Sequence, residues 1–389
     1  MGTRTKVAVV TAGAVTTAAA VSAALLWTGG GGHGAAAPVR LDAGSSGPAS
    51  RAVIAGRYVM PSGGESSASF AGLAAAHGRV WMSGTEGPIG KAGSPTGFVL
   101  RYENGRLTRL KPPLTPGHSD GGAVAAAGDR AWILASDRKA GPLLATDGRG
   151  WHWDARPARG GLRPYTVAAI GDRDVWIAAS ESPSSGDSKD VTALLHYNGG
   201  DWRRTDKGVG GDSRLNLFDL TARASNDVWV AGERSTSTGK LDAEPYLAHW
   251  DGRAWKAHTA IPVRLGFVRA VAPLSGTNVW AVGGVGCACS SDAGPLVLHY
   301  DGRTWRKTST SGLSLALQAV VPDGRGGLWG VESDGRVLRF NGRHWKAVAL
   351  PEGAEASALS RDASTGRVYA AAAQPMRNDK VTGFLLELR

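Results

Sequence analysis

The sequence predicts an all-β chain folded as a seven-bladed β-propeller, and three observations support this prediction. A hairpin signature recurs six times: a short apolar run, an aromatic residue or Thr, then Asp-Gly or Asn-Gly, then usually Trp, as in LHYDGRTW at Leu298–Trp305. A second motif, of the type DVWVAGE, precedes each copy, and its Trp, or Tyr369 in the seventh unit, recurs at intervals of 40 to 53 residues. Repeats of about 20–50 residues are typical of solenoids, propellers and arrays.

Each unit contains four predicted strands. The first is small and apolar, as in Val124–Asp129, and the second carries the Trp of the second motif. The third is the apolar run before Asp-Gly or Asn-Gly, and the fourth begins near the second Trp. A two-residue Asn-Gly or Asp-Gly connection favours a type I′ turn, in which both central residues have positive φ. Four antiparallel strands in each unit describe one propeller blade.

The count of units and the two chain ends predict a closed ring. The aromatic position of the second strand is filled seven times, by Trp81, Trp132, Trp176, Trp229, Trp280, Trp329 and Tyr369. The seventh unit has only three predicted strands, Ser357–Leu359, Arg367–Ala372 and Gly383–Leu388. An unassigned strand, Val53–Met60, precedes the first unit. We expect it to complete the seventh blade, because closure removes the open edge of the ring.

The N-terminus carries a targeting signal. The chain divides into 1–28, a signal peptide or membrane anchor; 29–50, a flexible Gly/Ala/Ser/Pro linker; and 51–389, the propeller. Arg4 and Lys6 precede the uncharged apolar run Val7–Trp27, an order typical of export signals. As a helix this run could span a bilayer, whereas Val21–Ala23 is suited to cleavage, so both possibilities stay open. We expect an extracellular protein, secreted or tethered to the outer side of the cytoplasmic membrane through this segment alone.

Composition limits the partners and cofactors. The formal charge is +11, but many arginines recur in the hairpin turns, where polar residues are usually solvated: Arg106, Arg149, Arg253, Arg303 and Arg343. No cluster of Lys and Arg with interleaved aromatics indicates a nucleic-acid site, so we expect no nucleic-acid partner. Cys287 and Cys289 predict a local disulfide in an exported protein, with free thiols or a metal half-site as alternatives. We expect a monomer without metal or cofactor.

The recurrent aromatic and His residues are predicted to be structural. Eleven of the fourteen Trp occupy the two repeated positions, which favours packing between blades over a sugar-binding platform. The position immediately before the aromatic residue of the hairpin is occupied by His in three units: His196, His249 and His299. Because Arg101 and Arg339 stand there in other units, metal ligation is not expected.

The Asp-Gly-x-x-Trp hairpins resemble shortened, degenerate Asp-box (BNR-like) repeats, which join the outer two strands of a blade in sialidase-type propellers. The spacing and the Val-Trp strands are also similar to kelch-type repeats. The likeness covers roughly residues 53–389 and implies a propeller of an exported bacterial type. These copies lack one residue and the initial Ser/Thr of a full Asp-box, and neither repeat family implies one activity.

Long, variable connections break the symmetry of the ring. Those between second and third strands are predicted at Gly84–Gly97, Ser180–Val191, Gly232–Glu244, Gly283–Gly294 and Ala373–Thr382. They share one face, here called the long-loop face, with links between blades such as Lys111–Ser119 and Arg156–Arg163. Variable loops on a rigid scaffold are the usual seat of binding, with neutral insertion as the alternative.

The innermost strands supply candidate site residues. Their alignment places small residues at one position, namely Gly72, Ala123, Thr166, Ala270, Ala319 and Ala358, where the fourth unit has Asp219. One position upstream stand Tyr165, Phe218, Arg269 and Gln318. We predict that Asp219 and the three polar residues of this set line a polar mouth of the channel. The alternative is an Asp219–Arg269 ion pair or an Asp219 satisfied by the backbone.

These observations predict an exported, non-enzymatic binding module that recognises a glycan, a peptide or an envelope protein through the long-loop face. One alternative is a carbohydrate-active enzyme of the sialidase-like type, which would need an arginine cluster, a Tyr–Glu pair and a carboxylic acid at the axis. Its partial candidates are Tyr165, Arg163, Arg269, Asp219 and Glu233. A structural part of an envelope assembly is the other alternative, and no catalytic residue is predicted.

Overall fold

The computed structural model describes eleven stretches of the chain: 50–59, 66–88, 96–113, 122–137, 141–154, 162–181, 190–209, 214–236, 243–290, 292–377 and 380–389. The predicted signal or anchor and all of the predicted linker except Ser50 lie outside the described residues. Within the described ranges, no helix is long and apolar enough to cross a membrane.

The described residues form seven four-stranded antiparallel sheets, which confirms the predicted seven-bladed all-β propeller. In chain order the strands are β1 (Ala52–Val59), β2 (Ser66–Ala76), β3 (Arg79–Pro88), β4 (Thr96–Glu103), β5 (Arg106–Leu110), β6 (Val124–Ala127), β7 (Arg130–Asp137), β8 (Gly141–Thr146), β9 (Trp151–Asp154), β10 (Leu162–Gly171), β11 (Asp174–Glu181), β12 (Val191–Tyr197), β13 (Trp202–Arg204), β14 (Leu215–Ala224), β15 (Asp227–Ser235), β16 (Ala243–Trp250), β17 (Trp255–Ala257), β18 (Gly266–Ser275), β19 (Asn278–Val285), β20 (Gly294–Tyr300), β21 (Trp305–Lys307), β22 (Leu317–Pro322), β23 (Leu328–Glu332), β24 (Val337–Phe340), β25 (Trp345–Val348), β26 (Glu355–Arg361), β27 (Val368–Arg377) and β28 (Lys380–Leu388).

Strand order within each sheet follows chain order from the axis outwards. Blades 1 to 6 are β2–β5, β6–β9, β10–β13, β14–β17, β18–β21 and β22–β25, and blade 7 is β26-β27-β28-β1. The innermost strands are the most buried, as in Leu217–Ala222 of β14, because they pack against both neighbouring blades. This burial explains why they consist of near-continuous small and apolar residues.

Strand β1 closes the ring as predicted. It pairs antiparallel with β28, from Ala52 opposite Leu388 to Val59 opposite Thr382. The pairing extends to Arg51 and Arg389, whose backbone N–H and C=O groups bond each other reciprocally at 2.9 Å. The first and last strands of the chain thus complete one blade, and Met60, the predicted end of β1, lies outside the described residues.

The repeated aromatics pack between blades, as the sequence predicts. Trp229 of blade 4 is fully buried and its ring lies 6.0 Å from that of Trp305 in blade 5. His249 stacks on Trp229 at 4.4 Å and bonds the Asp227 carboxylate, which also accepts the Trp229 indole N–H. Blade 3 repeats the arrangement with Trp176, His196 and Asp174. The recurrent His and its acidic partner therefore fix the orientation of the interblade Trp within their own blade.

The hairpin turns differ from the predicted type I′ geometry in most blades. Asn104 and Gly105 form a two-residue connection in which both have positive φ, 52° and 77°, as predicted. In five other units the connection has four residues and only its first Gly has positive φ; these begin at Asp147, Asn198, Asp251, Asp301 and Asn341. In each of these turns, Oδ1 of the first residue accepts hydrogen bonds from the backbone N–H groups two and three residues later. This is an Asx turn, and it closes the connection although the first residue does not have positive φ.

Several of the predicted long connections are shorter than expected, because the strands continue into them. In blade 7 the predicted loop Ala373–Thr382 is largely strand, since β27 runs to Arg377 and β28 starts at Lys380. Gly283–Gly294 is also shortened at one end, where β19 continues to Val285. The middle parts of the connections in blades 1, 3 and 4, and most of the links 111–119 and 156–163, lie outside the described residues.

Candidate functional site

The innermost strands share a β-bulge near their long-loop ends. The pairing register shifts at Phe70/Gly72, Pro164/Thr166, Leu217/Asp219, Val268/Ala270, Leu317/Ala319 and Ala356/Ala358. The extra residues of these bulges, which have no partner in the register, are in the same order Ala71, Tyr165, Phe218, Arg269, Gln318 and Ser357. A bulge bends its strand and re-aims a side chain, so this position is structurally special. Three of the four predicted site residues occupy it.

Two of the bulge residues contact a neighbouring blade. The Arg269 guanidinium lies over the Phe218 ring of blade 4, with Cζ 4.3 Å from the ring centroid, and Cζ is 5.6 Å from the ring centroid of Phe267 on its own strand. The Gln318 side-chain amide donates to the Ala356 carbonyl of the next blade at 3.4 Å. These contacts link the innermost strand of blade 5 to blade 4, and that of blade 6 to blade 7; that they line a channel mouth stays a prediction.

Arg269 is a partly buried cation with unused hydrogen-bonding capacity. Among the described residues its guanidinium contacts the two phenyl rings and is attracted by Glu233, but it donates no hydrogen bond to them. Burial lowers the pKa of Arg269, and the negative charge of Glu233 opposes this effect. Since the pKa of an arginine starts far above neutrality, the group stays charged. A cation held on aromatic faces with free N–H donors is suited to bind an anion.

Glu233 supplies a carboxylate on the neighbouring blade. It stands opposite Asn216 in the β14–β15 pair, and the Asn216 amide donates to its Oε1 at 3.5 Å. Burial raises the pKa of Glu233, while the Asn216 hydrogen bond and the Arg269 charge lower it. The two charged groups attract each other without forming a direct ion pair, so Arg269 keeps its donors available.

Asp219, predicted to line the channel mouth, is buried between the innermost strands of blades 4 and 5. Its side chain is fully buried, and Oδ2 accepts hydrogen bonds from the Val271 N–H at 2.8 Å and the Thr221 hydroxyl at 3.2 Å. Burial raises the pKa of Asp219 to about 7, against the opposing effect of these bonds. No Asp219–Arg269 ion pair is present among the described residues; the Val271 backbone N–H bonds Oδ2, whereas Oδ1 is buried without a hydrogen-bond partner among the described residues. Asp219 joins blades 4 and 5, and a role in ligand binding stays a prediction.

Tyr165 and Gln318 flank this sector. Tyr165 is partly buried against the blade 3–4 interface, and its hydroxyl interacts with the Thr192 side chain. Burial raises the pKa of the Tyr165 hydroxyl, so it remains protonated. Arg163, a candidate for the sialidase-like alternative, pairs with Asp190 at an exposed site. The structure therefore gathers Phe218, Arg269 and Glu233, and leaves Arg163 engaged elsewhere.

An apolar shelf, formed by Leu265, Val285 and Ala288, lies on blade 5 at the long-loop ends of β18 and β19. Leu265 immediately precedes β18 and Val285 ends β19, and their side chains are 46% and 44% exposed. Ala288 packs against a buried cluster that includes Phe218 and Phe267. The shelf is not predicted by the sequence analysis. Its only sequence signal is that Leu265, Phe267 and Arg269 occupy alternate positions of one strand and the residue before it.

The disulfide fixes one end of the shelf. Cys287 and Cys289 are joined across Ala288, and the Ser290 N–H donates to the Cys287 carbonyl at 3.1 Å. This tight turn holds Ala288 against the aromatic cluster below Arg269. Within the part of the chain that the structure describes, no group of three or more His, Cys, Asp or Glu residues could hold a metal ion.

Comparison with known proteins identifies the fold. No protein-family model and no curated protein matches the chain. The solved structure of YCF48 bound to D1 peptide superposes with a TM-score of 0.53 at 11% identity, covering 86% of this chain and 96% of that one. YCF48 from Cyanidioschyzon merolae gives a TM-score of 0.53 at 14% identity, covering 84% and 98% of the two chains. Virginiamycin B lyase from Staphylococcus aureus gives 0.53 at 12% identity, covering 82% and 99%. At these identities the likeness shows one thing: the chain is a β-propeller.

Proposed function

We propose that this protein is an exported, non-enzymatic binding module that holds a peptide or a segment of a protein at the channel mouth on its long-loop face. In this proposal Arg269 binds a carboxylate of the ligand. The observation that carries it is the partly buried Arg269 guanidinium, which rests on two phenyl rings and donates no hydrogen bond to the described residues. Guanidinium N–H groups that bond no protein group remain available for charge-assisted hydrogen bonds to an anionic ligand.

The apolar shelf supports a peptide over a simple anion. From Leu265 to Arg269 the chain spans about 13 Å, at about 3.3 Å for each residue. An extended ligand segment of about four residues could therefore place a carboxylate at Arg269 and an apolar side chain between Leu265 and Val285. Half-exposed aliphatic side chains beside a cation offer both the affinity and the orientation that such a segment needs.

Glu233 supports selectivity for the same ligand class. Its carboxylate interacts electrostatically with Arg269 and repels a second negative charge. A ligand with one carboxylate and a neutral or cationic group near Glu233 fits this charge pattern. YCF48, a propeller of similar fold, is seen with a peptide, which illustrates that the fold can hold one.

The test is a selection of peptides on the full chain, followed by calorimetry. A display library of peptides with free carboxyl termini is selected on the wild-type protein, and the enriched peptides are measured against wild type, Arg269→Gln and Arg264→Gln. Arg264 is the matched control because it is an exposed arginine beside the shelf. We expect Arg269→Gln to weaken binding at least about tenfold, the value of one charge-assisted hydrogen bond, and Arg264→Gln to weaken it less than about threefold.

Two outcomes would contradict the proposal. Enriched peptides whose affinity is unchanged by Arg269→Gln would remove Arg269 from the binding site. Enrichment of no peptide, together with binding on a glycan array that Arg269→Gln abolishes, would keep the site and replace the ligand class.

A further inference from the structure

The end of the propeller opposite the channel mouth carries a recurrent cationic surface. We call this end the turn face; it holds the short turns between first and second strands and the hairpin turns between third and fourth strands. A Cβ placed on Gly252 would lie 2.8 Å from that of Asn226, and one on Gly302 equally close to that of Thr277. These close approaches show that both kinds of turn meet on one face. In blades 1 and 2 the Arg79–Asp129 ion pair links neighbouring turns.

Five hairpin turns present an arginine side chain to solvent. Each is exposed, and none has a side-chain hydrogen bond or ion pair with the described residues: Arg106, Arg149, Arg253, Arg303 and Arg343. The acidic or amide residue of the turn is engaged instead by the turn itself. Asp251, for example, accepts the N–H groups of Arg253 and Ala254, both at 3.0 Å. The carboxylates are thus drawn into the turns while the arginines project outwards.

The described chain begins on the same face. Strand β1 is the outer strand of blade 7 and runs from the turn face towards the long-loop face, because it is antiparallel to β28. The Ser50 hydroxyl accepts a hydrogen bond from Arg339 at 3.2 Å, and Arg339 pairs at 2.8 Å with Asp323 in a turn of blade 6. Residues 1–49, which contain the predicted apolar segment, therefore join the propeller at its turn face.

We propose that the turn face docks on an anionic phospholipid surface. Exposed arginines without acidic partners are attracted to a negatively charged bilayer, by about 1 kcal/mol each close to the surface. The attachment of the N-terminal segment on this face would bring the arginines to the lipid headgroups. The turn tryptophans Trp255, Trp305 and Trp345 are buried and Trp151 and Trp202 are half-buried, so none of the five is a fully exposed stacking platform of the kind used by single-stranded nucleic acids. Lipid is therefore favoured over nucleic acid.

This orientation directs the long-loop face away from the membrane. Strands of eight to ten residues separate the two faces by about 30 Å, at about 3.3 Å for each residue. A protein docked through its turn face would present Arg269 and the apolar shelf to the solution. The docking rests on the charges of the turn face and not on the proposed peptide site, so either can fail without the other.

The experiment measures which face approaches the lipid. A donor dye is attached to the full chain at Thr277→Cys on the turn face or at Leu265→Cys on the long-loop face, both exposed positions. Energy transfer to headgroup-labelled lipid is recorded on phosphatidylcholine vesicles with and without about one-third phosphatidylglycerol. We expect transfer from position 277 to exceed that from position 265 at least twofold, on anionic vesicles alone. About 0.5 M NaCl should remove the difference, since it shortens the screening length to a few ångströms.

A charge-matched pair of variants separates the face from net charge. One variant replaces the five turn arginines by Gln, and the other replaces five exposed cations at the long-loop ends of strands: Lys111, Arg163, Lys207, Arg214 and Arg264. Both lower the formal charge of +11 by five. We expect the turn variant to abolish the twofold difference in transfer and the control to keep it.

Three results would overturn the proposal. Equal transfer from both positions on anionic vesicles would show that the turn face does not dock. An equal loss in both variants would assign any binding to net charge. Tighter binding of the full chain to heparin than to the anionic vesicles, with the same dependence on the turn arginines, would identify a polyanionic polymer instead of a bilayer.

Discussion

Replacement of Asp219 by Asn should remove a large part of the pH dependence of the protein's stability between about pH 4 and 8. The Asp219 side chain is fully buried, and burial raises its pKa to about 7. A carboxyl whose pKa is raised in the folded state stabilises the fold fully below the unfolded pKa. That contribution is lost as the pH rises through the folded pKa. The wild-type protein should therefore lose stability from this group as the pH increases.

The magnitude follows from the difference between the folded and unfolded pKa values. A rise from an ordinary value of about 4 to about 7 corresponds to roughly 3 units, or about 4 kcal/mol, between the acidic and the alkaline limit. Asn keeps the oxygen that accepts the Val271 N–H and cannot ionise. The difference in free energy of unfolding between Asp219→Asn and wild type should shift by about 3–4 kcal/mol in favour of the variant from about pH 4 to 8.

Urea unfolding of both proteins across this pH range is the assay. Carboxylates whose pKa is lowered, such as Asp174 and Asp227, also make the free energy of unfolding depend on pH. Their contributions cancel in the difference between the two proteins, because both contain them. Asp219→Ala is the second variant: it leaves the buried Val271 N–H without a partner and should cost about 1–3 kcal/mol at every pH. Parallel pH curves for wild type and Asp219→Asn would refute the reasoning.

Three further predictions concern the scaffold. Deletion of 52–59 should lower the melting temperature by at least about 5 °C, because β28 becomes an open edge; an unchanged value in differential scanning fluorimetry would contradict the closure. Burial lowers the pKa of His258 to about 4, so this residue should cost stability as the pH falls from about 6.5 towards 4. In urea unfolding across this range, His258→Phe should remove about 1–2 kcal/mol of that acid sensitivity after allowance for partial exposure, and an unchanged acid sensitivity would contradict this assignment. Trp229→Ala should lower the free energy of unfolding by about 3–5 kcal/mol in urea, since it empties the interface between blades 4 and 5; a cost near zero would argue against interblade packing.

The architecture could be predicted because its signals are local. Asp-Gly and Asn-Gly turns, the recurring Trp and the short strands are each encoded within a few residues, and their repetition gives the number of blades. The turn type could not be read in the same way. Asp251 and Asn104 are both followed by Gly, yet only Asn104 adopts positive φ, because Asp251 uses its carboxylate to close a longer turn.

The candidate site could be predicted in part. Alignment of the innermost strands located Arg269 and its equivalents, since a bulge that recurs in the fold leaves a recurring position in the sequence. The partner of Asp219 was not visible, because Val271 is 52 residues away and belongs to the next blade. The apolar shelf likewise depends on the pairing of β18 with β19, which brings Val285 opposite Gly266 and beside Leu265.

The central claim is that Arg269 binds a ligand carboxylate, and a thermodynamic cycle tests it most directly. The affinity of a selected peptide with a free carboxyl terminus is compared with that of its amide, on wild type and on Arg269→Gln. The account predicts that amidation weakens binding at least about tenfold on wild type and less than about twofold on Arg269→Gln, because the interaction is already lost. Equal losses on both proteins would contradict it.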